Sequence, residues 1–184
     1  MTESKQRRTF VVHVEDEPGV LNRVASLFRR RAYNIDSLNV ARTHEKGVSR
    51  MTIVCMAGAS EARRIEANLY KLVDVLRVDE VTDSAKVEHV LCMVKVGVDA
   101  ERRPEVLQIL EVFGARTLDL SPDSLVAELT GAVDVIDRFL AVLGPFGLLE
   151  VAQTGAVAMS REAARPQLHA VESEATKGSE AHAA

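Results

Sequence analysis

The sequence predicts an α+β protein in which the element order β-α-β-β-α-β occurs twice in tandem. Short β-branched segments alternate apolar and polar residues, as strands with one buried face do. Polar turns separate them from segments whose apolar residues recur at helical spacing. The same order returns in the second half, although the halves share negligible sequence identity. Each unit is thus a split βαβ arrangement, ferredoxin-like, with an antiparallel sheet that carries both helices on one face.

The first unit is predicted to span residues 8–83 and to open with an alternating strand at residues 9–15. Asp16-Glu17-Pro18-Gly19 breaks this strand, and Pro18 suits the first turn of a helix, where a backbone N–H would have no partner. The apolar stripe of that helix contains Val20, Val24, Leu27 and Phe28. The remaining elements are strands at about residues 34–42 and 48–56, a helix from near Ser60 and a strand at 75–78.

The second unit is predicted to span residues 84–160. Residues 161–184 are Ala-, Glu- and Ser-rich without periodicity, which is typical of a disordered tail. Each sheet is expected to keep a bare face and exposed edge strands, which favour association, so we expect at least a dimer. The predicted elements are strands at about 87–98, 117–120, 124–130, 148–151 and 155–158, a helix from Pro104 to a left-handed cap at Gly114, and a helix stopped by Gly144-Pro145.

The composition argues against several classes of protein. The net charge of −4 argues against a surface that binds phosphate groups. An aromatic content of 4% without any Trp leaves few side chains that could stack on nucleobases. Cys55 and Cys92 lack a ligand-like spacing and are predicted to be buried thiols of a cytoplasmic protein. The five histidines show no metal-ligand spacing, and His13 is expected on the open face of the first sheet. No signal peptide or membrane-spanning run is recognised, so we expect no membrane partner.

Stretches in both units resemble one family. In the first unit they are DEPGVLNRV at residues 16–24, RAYNIDSL at 31–38, SRMTI at 49–53 and KLVDVL at 71–76. In the second unit they are LCMVKV at 91–96 and EVAQTGAVAMSR at 150–161. Together they resemble the small regulatory subunits of acetolactate synthase, whose first unit is an ACT domain. Many members of that family carry Asn where this chain has Asp16, and Gly where it has Ala32.

The candidate ligand site combines the loop before the first helix with the start of the following strand. Its members are Asp16, Gly19, Val20, Leu21, Asn34 and Ile35. The unpaired N–H groups at the helix start can receive a carboxylate, and Gly19 lets the backbone approach a ligand closely. Asp16 and Asn34 can accept hydrogen bonds from an ammonium group. The three apolar members can line a pocket for a small branched side chain.

The residues alone leave another interpretation open. Pro18-Gly19 is also a common strand-to-helix turn, and Asn34 is a common turn residue. The resemblance favours the ligand site. It also implies that the loop meets the start of the second strand of a partner ACT domain, which places the site at a homodimer interface.

The resemblance implies a regulatory subunit without an active site. Such a chain activates a large catalytic subunit, which holds thiamine diphosphate and Mg²⁺, and confers feedback inhibition by a branched-chain amino acid, with valine the expected effector. No cofactor is expected on this chain, because thiamine diphosphate needs a recognisable site and the sequence offers no candidate for one. Neither a G-x-x-x-x-G-K-S/T phosphate loop nor a G-x-S-x-G nucleophile elbow occurs. One alternative is a stand-alone amino-acid-sensing ACT protein with another partner, such as a transcriptional regulator. No helix-turn-helix segment is recognised, which argues against a transcriptional regulator. Another is an RNA-binding module, which would need aromatic residues on its central strands.

Overall fold

The computed structural model describes residues 4–161 and contains two antiparallel sheets. The first half comprises β1 (Gln6–Glu15), α1 (Val20–Arg30), β2 (Ser37–Arg42), β3 (Val48–Ala57), α2 (Ala59–Leu69) and β4 (Val75–Glu80). The second half comprises β5 (Lys86–Gly97), α3 (Arg103–Phe113), β6 (Arg116–Leu120), β7 (Ser124–Gly131), α4 (Val133–Leu143), β8 (Leu148–Gln153) and β9 (Val157–Ser160). The strand orders are β2-β3-β1-β4 in the first sheet and β6-β7-β5-β8 in the second, where β9 also pairs with β5. The predicted fold class, two ferredoxin-like units in tandem, is confirmed.

Each unit has its own hydrophobic core between one sheet face and two helices. In the first unit, alternate residues of β1 are buried against α1 and α2, and they are Phe10, Val12 and Val14. In the second unit, Phe139 of α4 is fully buried and its ring centroid lies 5.3 Å from that of Phe113. These contacts follow from the periods of the two elements, since every second strand residue and every third or fourth helix residue faces the core.

Two predicted boundaries move at the ends of α1. Gly19 is the N-cap at φ 87, so the helix begins at Val20, and Pro18 precedes it instead of lying in its first turn. At the other end the chain turns through Ala32, whose φ of 55 is the only positive value at a non-glycine residue within residues 4–161. This left-handed conformation costs an ordinary residue about 1–2 kcal/mol. Because the turn precedes the sheet, β2 begins at Ser37 and not near residue 34.

The helix-free face of the first sheet is covered in part, which corrects the expectation of a bare face. Val54 of β3 is fully buried in the core of the second unit. Ala158 of β9 packs against Val11 and Val81 of the first unit, and β9 itself pairs with the first residues of β5. By contrast, Met93 on the helix-free face of the second sheet is 42% exposed, so that sheet does keep a bare face.

A short segment before β9 fastens the second unit to the start of β2. The backbone N–H of Ala156 donates to Ser37 Oγ at 2.8 Å. Gly155 lies so close to β2 that an added Cβ would stand 2.5 Å from the carbonyl oxygen of Leu38. Real Cβ atoms do not approach a backbone oxygen so closely, so only glycine fits at this position.

Gly155→Ala is therefore expected to lower the free energy of unfolding by about 1–3 kcal/mol, the usual cost of overpacking a buried contact. Urea unfolding of the full chain measures this change. Gly144→Ala is the matched control, because an added Cβ at Gly144 would meet no atom within 4 Å. Equal unfolding midpoints for the two variants would show that the contact between Gly155 and β2 does not hold the units together.

The end of the described chain belongs to the second unit. Arg161 donates its backbone N–H to the carbonyl oxygen of Ala85 at 2.8 Å, although it was predicted to begin the disordered tail. The rest of that predicted tail, residues 162–184, lies outside the described residues. Within residues 4–161, none of the helices has the length and apolar character needed to cross a membrane. Over the same range, no group of His, Cys, Asp or Glu side chains is arranged to hold a metal ion.

Candidate functional site

The carboxylate of Asp16 is held by the β2–β3 hairpin. Ser49 Oγ donates to Asp16 Oδ1 at 3.0 Å, and Arg42 Nε lies 2.8 Å from Asp16 Oδ2. The backbone N–H of Asp16 also donates to the carbonyl oxygen of Gly47 at 2.8 Å. Both carboxylate oxygens thus have a partner within the chain. In this chain Asp16 fixes the loop to the hairpin, and its role as an ammonium acceptor stays a prediction.

The start of α1 has no side-chain cap. The N-cap residue Gly19 offers no side-chain hydrogen bond to the helix, and no acidic residue lies in the first turn. The first N–H groups of a helix have no partner within the helix and carry partial positive charge. Among them, only the N–H of Val20 has a backbone partner within residues 4–161, a long contact of 3.4 Å to the carbonyl oxygen of Glu17. This end of α1 can therefore receive the carboxylate of a ligand.

Arg23 adds positive charge beside this helix start, and the sequence argument missed it. A Cβ atom added to Gly19 would stand 3.2 Å from Arg23 Nη1, so the guanidinium lies next to the N-cap. Asp74 holds the guanidinium through two contacts, 2.6 Å to Nε and 2.8 Å to Nη2, and this hydrogen bonding raises the pKa of Arg23. The signal was available in the sequence, because Arg23 follows Gly19 by four residues, which is one turn of the helix.

The apolar members of the predicted site differ in what they can offer. The side chain of Val20 is only 3% exposed and belongs to the core of the first unit, so it does not line an open pocket. This corrects the prediction that the Val20 side chain lines a pocket, and only the backbone of Val20 remains at the loop. Leu21 is 43% exposed, whereas Ile35 is half-buried and packs against the core. Leu21 and Ile35 remain available to an apolar ligand group.

Asn34 lies at the far end of α1 from Gly19. The helix has 11 residues, so the two positions are separated by about 16 Å at 1.5 Å per residue. Asn34 is exposed, and its Nδ2 donates to Asp36 Oδ1 at 2.9 Å, which leaves its Oδ1 open to a donor. The structure therefore divides the predicted site into two halves, and a single chain does not bring them together. The second half lies beside β2, an edge strand that pairs only with β3 among the described strands.

A further cavity lies on the helix-free face of the first sheet, away from the predicted site. It has a volume of about 930 Å³ and includes none of the predicted site residues. Its walls come from β1, β2, β3, β4, β9 and the β2–β3 turn, with one residue of α2. The charged and titratable side chains among them are both basic and acidic: His13, Arg42, His44, Glu45, Arg50, Glu66, Arg77, Asp79 and Glu80. The two cysteines lie away from both places in the cores, and burial raises the pKa of Cys55 to about 11, so that thiol stays protonated.

Two family models match consecutive parts of the chain. One is described as the AHAS small subunit-like ACT domain and matches residues 10–77. The other is described as the small subunit of acetolactate synthase and matches residues 89–162. The first match contains every member of the predicted ligand site.

Full-length relatives agree with the family models. The chain is 41% identical over 155 residues to a probable acetolactate synthase small subunit of Archaeoglobus fulgidus, covering 84% of this chain and 97% of the relative. It is 44% identical over 158 residues to the acetolactate synthase small subunit of Mycobacterium bovis, covering 86% and 94%. The crystal structure of the acetolactate synthase small subunit from Thermotoga maritima superposes with a TM-score of 0.79 at 33% identity, over 85% of this chain and 98% of that one. The chain therefore belongs to the family of acetolactate synthase small subunits, the non-catalytic regulatory partners of a large catalytic subunit.

Proposed function

We propose that this chain activates its large catalytic subunit and makes that subunit sensitive to feedback inhibition by a branched-chain amino acid, with valine the expected effector. The observation that carries the proposal is the start of α1, where Gly19 has no side chain, most N–H groups of the first turn lack a backbone partner and the Arg23 guanidinium lies close by. The family relationship supplies the partner, and the chemistry of the loop supplies the ligand class. The condensation of pyruvate to acetolactate takes place on the large subunit, which holds thiamine diphosphate and Mg²⁺.

The carboxylate of the effector binds at the start of α1. Backbone N–H groups and the macrodipole stabilise a negative charge there. Gly19 presents no Cβ, so the ligand can approach the backbone directly. Leu21 is exposed on the first turn and can contact a small branched side chain. An α-amino acid with an aliphatic side chain meets all three features.

The ammonium group of the effector binds to a second copy of the chain. Asn34 is about one helix length away from Gly19 within the same chain, so it cannot contact the same small ligand. Pairing of the β2 edges of two copies would bring Asn34 and Ile35 of one copy near the loop of the other. Unpaired strand edges favour such association. The resulting homodimer would hold two equivalent sites, as a two-fold axis requires.

The second unit engages the large subunit and receives the signal through β2. Ser37 follows Asn34 by three residues and hydrogen-bonds to Ala156 at the entrance to β9. An effector that binds the two states of β2 with different affinity would shift their populations, and the contact with Ala156 would carry that shift to the second unit. The reduced, buried cysteines fit a cytoplasmic location.

Reconstitution with the large subunit tests the proposal. The chain alone is expected to form no acetolactate from pyruvate, even with thiamine diphosphate and Mg²⁺. Its addition to the large subunit is expected to raise the rate severalfold, and titration with valine, leucine and isoleucine separately identifies the inhibitor. Valine binding without any effect on the large subunit would favour the stand-alone amino-acid sensor. Acetolactate formation by the chain alone would exclude a regulatory role.

A further inference from the structure

Three basic side chains form a row across the helix-free face of the first sheet. The register places His13 of β1 opposite Arg50 of β3 on one side and opposite Arg77 of β4 on the other. Adjacent strands are about 4.8 Å apart, so the row spans roughly 10 Å between the two arginine backbones. All three side chains line the cavity of about 930 Å³ that β9 borders with Val157 and Met159.

Arg50 differs from Arg77 in this row, because it has no ion-pair partner among the described residues. Acidic residues do line the same cavity, and they are Glu45, Glu66, Asp79 and Glu80. Arg77 is paired with Asp79, whose Oδ1 lies 2.7 Å from Nη2. Arg50 instead donates to neutral oxygens, at 3.1 Å to Thr52 Oγ1 and also to the carbonyl oxygen of Ala158. No carboxylate within residues 4–161 lies at ion-pair distance from Arg50. Burial lowers the pKa of Arg50, and the nearby charge of Asp79 offsets this only in part.

His13 presents an unsatisfied polar atom at the centre of the row. Its Nδ1 is buried and has no hydrogen-bond partner among the described residues. Burial and the charges of Arg50 and Arg77 lower the pKa of His13, while Asp79 and Glu45 oppose this. Buried polar atoms without partners are rare in folded proteins and call for a missing partner. An anion in the cavity would supply one, and it would balance Arg50 as well.

We propose that this cavity binds a small molecule that carries a phosphate or carboxylate group, held by Arg50, Arg77 and His13 beneath β9. Arginine is well suited to such oxyanions, because its planar guanidinium offers several donors at once. The site is separate from the amino-acid loop at the start of α1, and the proposal does not depend on feedback inhibition by valine. Because Arg50 also contacts β9, a bound anion would strengthen the contact between the two units.

Binding should tighten as the pH falls through the pKa of His13. The charged groups that act on His13 are Arg50 on β3, Arg77 and Asp79 on β4, and Glu45 in the β2–β3 turn, and β9 contributes no titratable side chain. The same cavity is also lined by Arg42, His44, Glu66 and Glu80. Of these groups, His13 is the one whose usual titration range lies near neutral pH. A bound anion favours the charged imidazole, so it raises the pKa of His13 and binding takes up a proton.

Titration of the full-length chain with phosphate, and separately with succinate, tests the site. The His13 imidazole resonances report binding by NMR, with sodium chloride at equal ionic strength as the control. The expected result is a saturable shift of the His13 signals and a raised pKa with at least one oxyanion. A response to phosphate alone identifies a phosphate ligand, and a response to both identifies a general oxyanion site.

Arg50→Gln is expected to weaken this binding about ten- to a hundredfold, the usual loss when a charged hydrogen-bond donor is removed. Arg63→Gln, on the exposed side of α2, is the matched control and should leave binding unchanged. If Arg50→Gln fails to fold, Arg77→Gln takes its place. The proposal is overturned if neither anion moves the His13 signals, if chloride moves them equally, or if the row variants and Arg63→Gln behave alike.

Discussion

Gly19→Asp is expected to raise the valine concentration for half-maximal inhibition about ten- to a hundredfold while activation of the large subunit persists. The new carboxylate would occupy the position where the ligand carboxylate meets the N–H groups of α1. Loss of a hydrogen bond to a charged group costs about 1.5–3 kcal/mol, which corresponds to this change in affinity. Inhibition assays on the reconstituted complex measure the shift.

Gly19→Ala separates charge from backbone strain in this experiment. Gly19 has a φ of 87, which disfavours any side chain, and an added Cβ would lie 3.2 Å from Arg23 Nη1. Both variants share these penalties, and only Gly19→Asp adds a negative charge. A similar loss of inhibition in the two variants would indicate that the loop is structural, and unchanged inhibition in both would place the effector elsewhere.

Asn34→Lys is expected to weaken valine binding about ten- to a hundredfold as well. It acts on the ammonium group of the ligand, whereas Gly19→Asp acts on the carboxylate. The substitution replaces an acceptor for the ammonium group with a second ammonium group, which repels it. Asn34→Ala removes the acceptor without adding charge and should act more mildly. Because Asn34 is exposed and hydrogen-bonds only to Asp36 within the described residues, neither change should impair folding. Calorimetry of valine binding to the purified small subunit measures both effects, and equal affinities for Asn34→Lys and the unaltered chain would remove Asn34 from the site.

Much of the fold could be predicted from periodicity. The stripe of Val20, Val24, Leu27 and Phe28 in α1 is buried as expected, because helical spacing alone places these residues on one face. Gly114 closes α3 at φ 68, as the position of a glycine after the last apolar residue predicts. Such local features depend on neighbours in the sequence, so the sequence shows them directly.

Contacts between the units were harder to predict. The first sheet is expected to have a bare face, yet part of that face is covered. Val54 of β3 is buried in the core of the second unit, and Ala158 of β9 packs against Val11 and Val81. A signal did exist in β3, where Met51, Thr52, Ile53, Val54 and Cys55 form a run without polar alternation of the kind found in strands buried on both faces. Residues that cover Val54 on that second face belong to the second unit, and one of them, Ala156, lies about a hundred residues away. Sequence periodicity cannot pair such distant elements.

Some features of the candidate site could likewise be predicted from the sequence, and others could not. The loop chemistry at Gly19 follows from the sequence, because a glycine before an apolar helix predicts an accessible helix start. The separation of Gly19 from Asn34 by α1 also follows from helix geometry. The burial of Val20 and the pairing of Asp16 with Arg42 and Ser49 do not, since both depend on how the hairpin packs against the loop.

Valine binding to a mixed dimer tests the central claim most directly, which is that two chains share each effector site. Chains with Gly19→Asp and chains with Asn34→Lys, carrying different affinity tags, are coexpressed, and the dimer with both tags is isolated. If the sites form between chains, this dimer keeps one unaltered site, because both substitutions fall in the other. Calorimetry should then find about one valine per mixed dimer at the affinity of the unaltered protein, whereas both substituted homodimers bind weakly. A mixed dimer that binds no better than the homodimers would contradict the account, as would the failure of coexpressed chains to form a mixed dimer at all.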